Sequence, residues 1–371
     1  MITGNILDRS AQTDTMRPLK TVLIGLGAGP EKILLPGLTS LPEINLVAAC
    51  DLDHGTRDRV AGRWHIPRTY GDAGEMLAAE KPELVVVGTP PKTHYQFSLL
   101  ALEHGAHVLC EKPFMISSAE ADEVWTKARQ CQRWVGVNSQ YYQMPIYRRL
   151  QTALDQDDVG RLFQIDAWQH MVLLPNEEGG WKADLMPRRV LLEFGTHAID
   201  LICRYFGDYP EAVSARIARA RQDINADVCI NVRLDFPGDR IANIVFNRMS
   251  HAPTRYFEMR LNCEKAALRA SLGGLARLDL GWNSEARRPK VRWSLTRGGE
   301  ARLERGGDSK LLAKQADAAF GSAAALHIAG FAQAILQQIQ QDVYMENGRK
   351  ILQILLACYE SAENCGTLIT L

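Results

Sequence analysis

The chain has 371 residues, 46% of them apolar and 23% charged, with 43 basic and 43 acidic side chains. That balance leaves no electrostatic footprint for a nucleic acid or an anionic membrane, and the length exceeds what one compact core holds, so two domains are expected. No apolar run is long enough to span a bilayer, and the opening MITGNILDRSAQTDTMRPLK has no apolar segment of the secretory kind, so residues 1–18 are expected to form a flexible tail on a cytoplasmic protein.

From residue 19 to 139, apolar runs alternate with helical patterns. TVLIG, INLVAAC, ELVVVGT, HVLCE and WVGVN are continuous rather than alternating, as buried parallel strands are. Between them GTRDRVAGRWH, AGEMLAAEK and HYQFSLLALEHG carry helix periodicity, and SSAEADEVWTKARQC adds a capping box, Ser117 with Glu120. This alternation predicts an α/β Rossmann domain, a doubly wound parallel sheet. Residues 140–371 read differently. A helix (PIYRRLQTAL) leads to RLFQIDAWQHMVLL, VCINVRLDF, RIANIVFN, RYFEMRLNCE and KVRWSLTR, whose apolar–polar alternation predicts an antiparallel sheet with one covered face. Two helices, ALHIAGFAQAILQQIQQ and GRKILQILLACYESAE, follow, giving an α+β second domain. The eight cysteines show no CxxC and no Cys/His cluster, so buried reduced thiols are expected rather than disulfides or a metal site.

The loop GLGAGP after the first strand has Gly25 and Gly27 in GxG spacing followed by Ala28, with Pro30 where GxGxxG would place its third glycine. The first two glycines make the turn and let the backbone approach a pyrophosphate; the third allows close helix–strand packing. Pro30 suits the first helical position, where no N–H is needed, and Pro36 implies a kinked or late-starting helix. Asp51, ending INLVAAC, stands where an acid hydrogen-bonds the adenosine ribose; otherwise it is a solvated residue opening a turn. A carboxylate there repels a 2′-phosphate, and neither Leu52 nor Asp53 supplies a cation, so NAD is expected over NADP.

HVLCEKPF places Glu111, Lys112 and Pro113 at the carboxyl end of a strand, the end at which open α/β sheets bind ligands. A lysine there can polarise a substrate hydroxyl and share its proton; the alternative is a solvated lysine. In RRVLLEFGTHAIDLICRYFG, Glu193, His197 and Asp200 are spaced i, i+4, i+7, one face of a helix. A histidine oriented by a carboxylate suits a general base; a hydrogen-bonded core histidine and a metal site are the alternatives.

Together GLG, AACD, GTPPKTH, ALEHGAHVLCEKP, LLEFGTHAIDL and NGRKILQILLACYESAENCGTLITL resemble the glucose–fructose oxidoreductase/inositol dehydrogenase/rhizopine-catabolism (Gfo/Idh/MocA) family. The resemblance implies a large, mostly antiparallel open sheet in the second domain, a dimer or tetramer joined through it, and NAD(P)-dependent oxidation or reduction of a secondary alcohol on a sugar, cyclitol or nucleotide-sugar. By motif, Lys112 contacts substrate and nicotinamide, His197 is the acid/base residue, and Glu193 takes the place of an Asp with about 1.5 Å or less of extra reach. Thr89, Pro90 and His94 lie in the segment that would line the dinucleotide, and Glu111, also expected to bind the cofactor, precedes the lysine beneath the nicotinamide. Where relatives have a glycine-rich run this chain has PRRV, and where they have RF it has Gln140-Tyr141. Arg188 and Arg189 are therefore candidates for binding an anionic substrate group, against the alternative of solvation or pairing with acids such as Asp184. Tyr141 and Trp181 are candidates for stacking on a sugar face, whereas Trp168, in a strand pattern, reads as core. Two other functions share these residues: a non-catalytic NAD sensor, and a glycoside hydrolase that oxidises its sugar transiently.

Overall fold

The computed structural model describes residues 17–156, 158–171, 185, 187–218, 227–250, 256–273, 275–283, 288–296, 298–315, 319–339 and 342–371, with 256, 275–283, 288–296, 342 and 343 as backbone alone. Six strands, β1 (Leu19–Ile24), β2 (Ile44–Cys50), β3 (Arg68–Tyr70), β4 (Leu84–Val87), β5 (His107–Cys110) and β6 (Val135–Val137), form an all-parallel sheet in the order 3-2-1-4-5-6. All of β4 is buried, which is why these strands read as unbroken apolar runs. Helices α1 (Ala28–Ile33), α2 (Leu35–Leu38), α3 (His54–Trp64), α4 (Ala73–Glu80), α5 (His94–Glu103) and α6 (Ser118–Cys131) connect them. Ser117 caps α6 as expected, accepting from the Glu120 N–H at 3.3 Å, but the Glu120 carboxylate reaches back to Ile116 N rather than Ser117 N.

Strand β3 has no apolar run to announce it. Its three residues are held instead by buried Glu80 of α4, which accepts from Arg68 Nη2 and from the Tyr70 hydroxyl, both at 2.7 Å. These bonds outweigh the cost of burial and pull the Glu80 carboxyl down to about 2.

Beyond α7 (Pro145–Gln156), the chain builds β7 (Leu162–His170), α8 (Thr196–Phe206), β8 (Ala212–Ala218), β9 (Cys229–Phe236), β10 (Arg240–Asn247), β11 (Tyr256–Cys263) and β12 (Ala267–Leu272). After these come β13 (Leu275–Asn283), β14 (Arg288–Thr296), β15 (Gly299–Arg305), β16 (Asp308–Gln315), α9 (Phe320–Leu336), α10 (Asp342–Glu363) and β17 (Ile369–Thr370). Nine of the strands form one sheet, 16-15-12-11-7-10-9-8-17, antiparallel except where β7 runs parallel to β10. KVRWSLTR lies outside that sheet: it falls in β14, which pairs with β13 in a separate ribbon. On β7, Ile165, Ala167 and Gln169 are buried, while Gln164, Asp166, Trp168 and His170 alternate onto the other face. Trp168 is therefore half-buried on the open face rather than in the core. Asp166 gathers that face, accepting from Gln164, Asn243 and Asn262 side chains at 2.9–3.1 Å.

A division after residue 139 leaves α9 with the second domain, and its start packs there, Phe320 against Tyr141, yet much of its length packs on the first. Ile328, Phe331, Ala332 and Ile335 join the core formed by Leu23, Leu84, Val86 and Leu109, and Gly136 of β6 gives the Phe331 ring room. All eight cysteines are free; five are buried, Cys131 and Cys229 half-buried, and Cys365 exposed.

Candidate active site

The order 3-2-1-4-5-6 changes direction between β1 and β4, and the loops leaving their carboxyl ends open the crevice where such sheets take ligands. Gly25 has φ +96°, and a Cβ there would stand 2.9 Å from the backbone of Gly88 and Thr89. Gly27, Ala28 and Gly29 are exposed, and nothing lies within 4 Å of where a Cβ on Gly27 or Gly29 would be. The loop is thus closed below and open above, which fits a pyrophosphate drawn close to the backbone. Asp51 ties this loop to the next: Oδ2 accepts from Leu26 N at 2.8 Å and Oδ1 from Asp53 N at 3.0 Å. A carboxylate has about four lone-pair sites, so capacity remains for ribose hydroxyls.

Pro30 is the third residue of α1, not the first; its N–H would be without an intrahelical partner at either position. The room a third glycine normally gives comes from the other side of the contact. A Cβ on Gly88, at the end of β4, would lie 2.7 Å from Pro30 Cγ and 3.1 Å from Leu34 Cδ1. Leu34 then separates α1 from α2, because Pro36 has no N–H to continue the ladder, and the expected kink falls there.

After β5, Glu111 lies under the turn. Its Oε1 accepts from Asn138 Nδ2 at 2.7 Å and its Oε2 from Lys112 N at 3.1 Å; burial raises its carboxyl above the ordinary range, against the pull of Asn138 and Lys112. The Lys112–Pro113 peptide is cis. Half-buried Lys112 reaches across to the second domain, where Nζ donates to the Glu193 carbonyl at 2.8 Å.

Glu193 lies in a π-helical turn, Leu191–Gly195, that runs directly into α8. Gly195 lets α10 approach: a Cβ there would meet Leu355 Cδ2 at 2.8 Å. The Glu193 carboxylate is buried, and Oε2 accepts from Arg189 Nε at 2.8 Å. Burial pushes its proton affinity up, but Lys112, Arg189 and Arg248 outweigh this and hold the carboxyl below its usual range. His197, also buried, is stacked on Tyr141 with ring centroids 3.8 Å apart and planes 6° from parallel. Glu193, whose carbonyl meets Lys112, thus stands four residues before His197 on one continuous helical segment.

Several expected roles change. The wide π turn upsets the i, i+4, i+7 spacing, since each helical residue accounts for about 100° of rotation. Asp200, in regular α8, accepts from Arg204 Nε at 2.9 Å and from Asn347 Nδ2 at 2.7 Å, serving α8–α10 packing. Arg188 forms a two-nitrogen pair with Glu363 at 2.6–3.0 Å on the exposed surface, and Arg189 is buried against Glu193, so neither is placed as a clamp for a substrate anion. Tyr141, expected to stack on a sugar, is 2% exposed with one ring face against His197. His94 is fully buried with Nδ1 and Nε2 each 2.8 Å from a carbonyl, of Pro113 and Thr89; it joins two loops of the crevice rather than touching the dinucleotide. Thr89 is half-buried and Pro90 exposed at the crevice. Trp181 and Asp184 lie outside the described residues. Gly88, Asn138, Asp227, Arg248 and Tyr359 had no expected role; only Gly88 carried a signal, a glycine directly after an apolar strand.

Residues 19–139 match the family model of NAD-binding Rossmann-fold oxidoreductases, and residues 147–269 match the GFO/IDH/MocA C-terminal domain. The chain belongs to the Gfo/Idh/MocA family. Its first domain is accordingly an NAD-binding one. An uncharacterized oxidoreductase of Schizosaccharomyces pombe is 28% identical over 219 residues, 56% of this chain and 57% of that protein. The D-glucoside 3-dehydrogenase of Escherichia coli is 34% identical over 122 residues, 33% of this chain and 34% of the relative. The match thus spans little more than half of the first of these relatives and a third of the second. Among solved structures, an inositol dehydrogenase homolog from Azotobacter vinelandii, complexed with NADH and myo-inositol, superposes with a TM-score of 0.75 at 16% identity, covering 96% of this chain and 98% of that one. At that identity the likeness is one of fold.

Proposed function

We propose that this Gfo/Idh/MocA protein moves a hydride between NAD and a secondary alcohol of a sugar, cyclitol or nucleotide-sugar. The observation that carries the reading is the bond from Lys112 Nζ to the Glu193 carbonyl, one helical turn before His197. The names of the glucoside dehydrogenase and the inositol-bound homolog support a polyhydroxylated substrate. Gly25, Gly27, Ala28, Asp51, Thr89 and Pro90 hold the dinucleotide, which when bound supplies the hydride acceptor. Lys112 exchanges its carbonyl partner for the substrate hydroxyl and polarises it. His197, its plane fixed by Tyr141, takes the hydroxyl proton. Glu193, kept ionised by its three cations, stabilises the charge on Lys112 and His197 rather than donating a proton. The protein works in the cytoplasm as a homodimer or homotetramer whose contact is the open face around Asp166; no described helix is long and apolar enough to cross a membrane.

A panel of sugars, cyclitols and nucleotide-sugars scanned with NAD for NADH absorbance tests this. One or more is expected to be oxidised, with Lys112→Met and His197→Asn each lowering kcat by ~10²–10⁴. Near-normal turnover in both variants would remove the mechanism. A product formed without net NADH would mean the transient-oxidation cycle.

A further inference from the structure

The segment that carries Glu193 and His197 begins with Pro187-Arg188-Arg189, which has no Ser, Thr, Asp or Asn to accept from its first N–H groups. Those donors are met by residues distant in the chain. Asp227, just before β9, accepts from Arg189 N at 2.9 Å and from Val190 N at 2.9–3.0 Å with both oxygens. Tyr359 of α10 accepts from Leu191 N at 3.0 Å through its hydroxyl and donates that hydroxyl to Asp227 Oδ2 at 2.5 Å. The Asp227 N–H returns to the Pro187 carbonyl at 3.2 Å. Asp227 is 2% and Tyr359 1% exposed, so water does not substitute for either. The next residue but one along the chain, Glu193, is the one whose carbonyl meets Lys112.

We propose that Asp227 and Tyr359 are positioning residues, a two-part cap that sets the rotation and height of the π turn and thereby the placement of Glu193 and His197 against Lys112. The three capped N–H groups belong to consecutive residues, 189, 190 and 191, so the cap fixes both where the helix begins and how its first turn is wound. A π turn has one intrahelical bond fewer to define it than an α turn, and its geometry here depends on anchors at its ends. Gly195 packed on Leu355 is the far anchor; the cap is the near one. Misplacing a reacting group by about 1 Å costs on the order of 100-fold in rate. The inference rests on the reading of His197 as the site's acid/base residue and of Glu193 as the ionised carboxylate beside it.

The test uses the full chain with ¹³C-labelled histidine, the His197 signals being assigned by their loss in His197→Asn. Tyr359→Phe and Asp227→Asn are compared with Tyr205→Phe, which removes a hydroxyl bond to the Tyr147 carbonyl at the opposite end of the same helix. The His197 signals and their pH titration are expected to shift in both cap variants and to stay in place in Tyr205→Phe. On a substrate from the panel, the cap variants should lose about 10- to 100-fold in kcat, with NAD affinity unchanged within about twofold. Unmoved His197 signals in the cap variants, or an equal shift in Tyr205→Phe, would overturn the proposal. So would failure of both cap variants to fold, since the pair would then serve the core at large. If no sugar is oxidised while the His197 signals still move, the functional reading fails and the cap stands.

Discussion

The exchange of a glycine between Pro30 and Gly88 is testable by a double-mutant cycle. In Gly88→Ala the new Cβ stands 2.7 Å from Pro30 Cγ, where ordinary van der Waals contact begins at 3.4 Å, so the ring must retreat by about 0.7 Å. A change of ring pucker moves Cγ by only part of that distance and leaves Cβ, 3.2 Å away, in place, so the rest of the retreat is taken by α1 and the loop before it. Overpacking of this kind costs about 1–3 kcal/mol, and the displaced loop should weaken NAD binding about tenfold, ~1.4 kcal/mol. Pro30→Gly alone loosens the unfolded chain and strips the contact from Gly88, costing about 1 kcal/mol. Combined, the two restore a small residue facing a small one, so the pair should be less destabilised than the sum by about 1 kcal/mol or more. Urea unfolding gives the stability of all four proteins, and calorimetric NAD titration gives their affinities. Additivity within about 0.5 kcal/mol, or unimpaired NAD binding in Gly88→Ala, would refute the idea that Gly88 replaces the third glycine.

Asp51→Ala should lose about 1.5–3 kcal/mol of NAD affinity, since charge-assisted bonds to the ribose vanish along with the support of Leu26 N; an unchanged titration would refute its role. Glu80, with its carboxyl held at about 2 instead of 4.5, contributes stability that is complete above pH 4.5 and lost as pH falls toward 2. Wild type should lose about 1–3 kcal/mol more over that window than Glu80→Gln, which keeps the other ionised carboxylates; equal losses in urea unfolding across the window would count against the Arg68–Tyr70 anchor. Arg188→Ala should leave the relative turnover of neutral and acidic sugars unchanged and cost less than about 1 kcal/mol of stability, its pair with Glu363 being exposed. A selective loss with acidic substrates would return Arg188 to the cleft.

The nucleotide domain was legible because its strands are buried on both faces and so write themselves as apolar runs; β3 escaped because a carboxylate, not burial, holds it. Lys112, Glu193 and His197 were legible for a related reason: each is a polar residue set at the end or on the face of an apolar element, where only chemistry or a specific partner explains it. Sequence spacing also placed Asp200 beside them, and it could not show the π turn, because i→i+5 bonding leaves the same residues in the same order. Nor could it distinguish a solvent-facing Tyr141 from one stacked on His197, or an arginine free for substrate from one paired with Glu363. The sequence by itself determined the elements that bury an apolar face and marked the candidate residues for chemistry, since periodicity and turn chemistry are local. The tertiary structure alone decided what those residues touch. The contacts that aim them (Gly88 to Pro30, Asp227 and Tyr359 to the site helix, Lys112 to Glu193) join positions from about 40 to 170 residues apart, and a one-dimensional pattern carries no signal at that range.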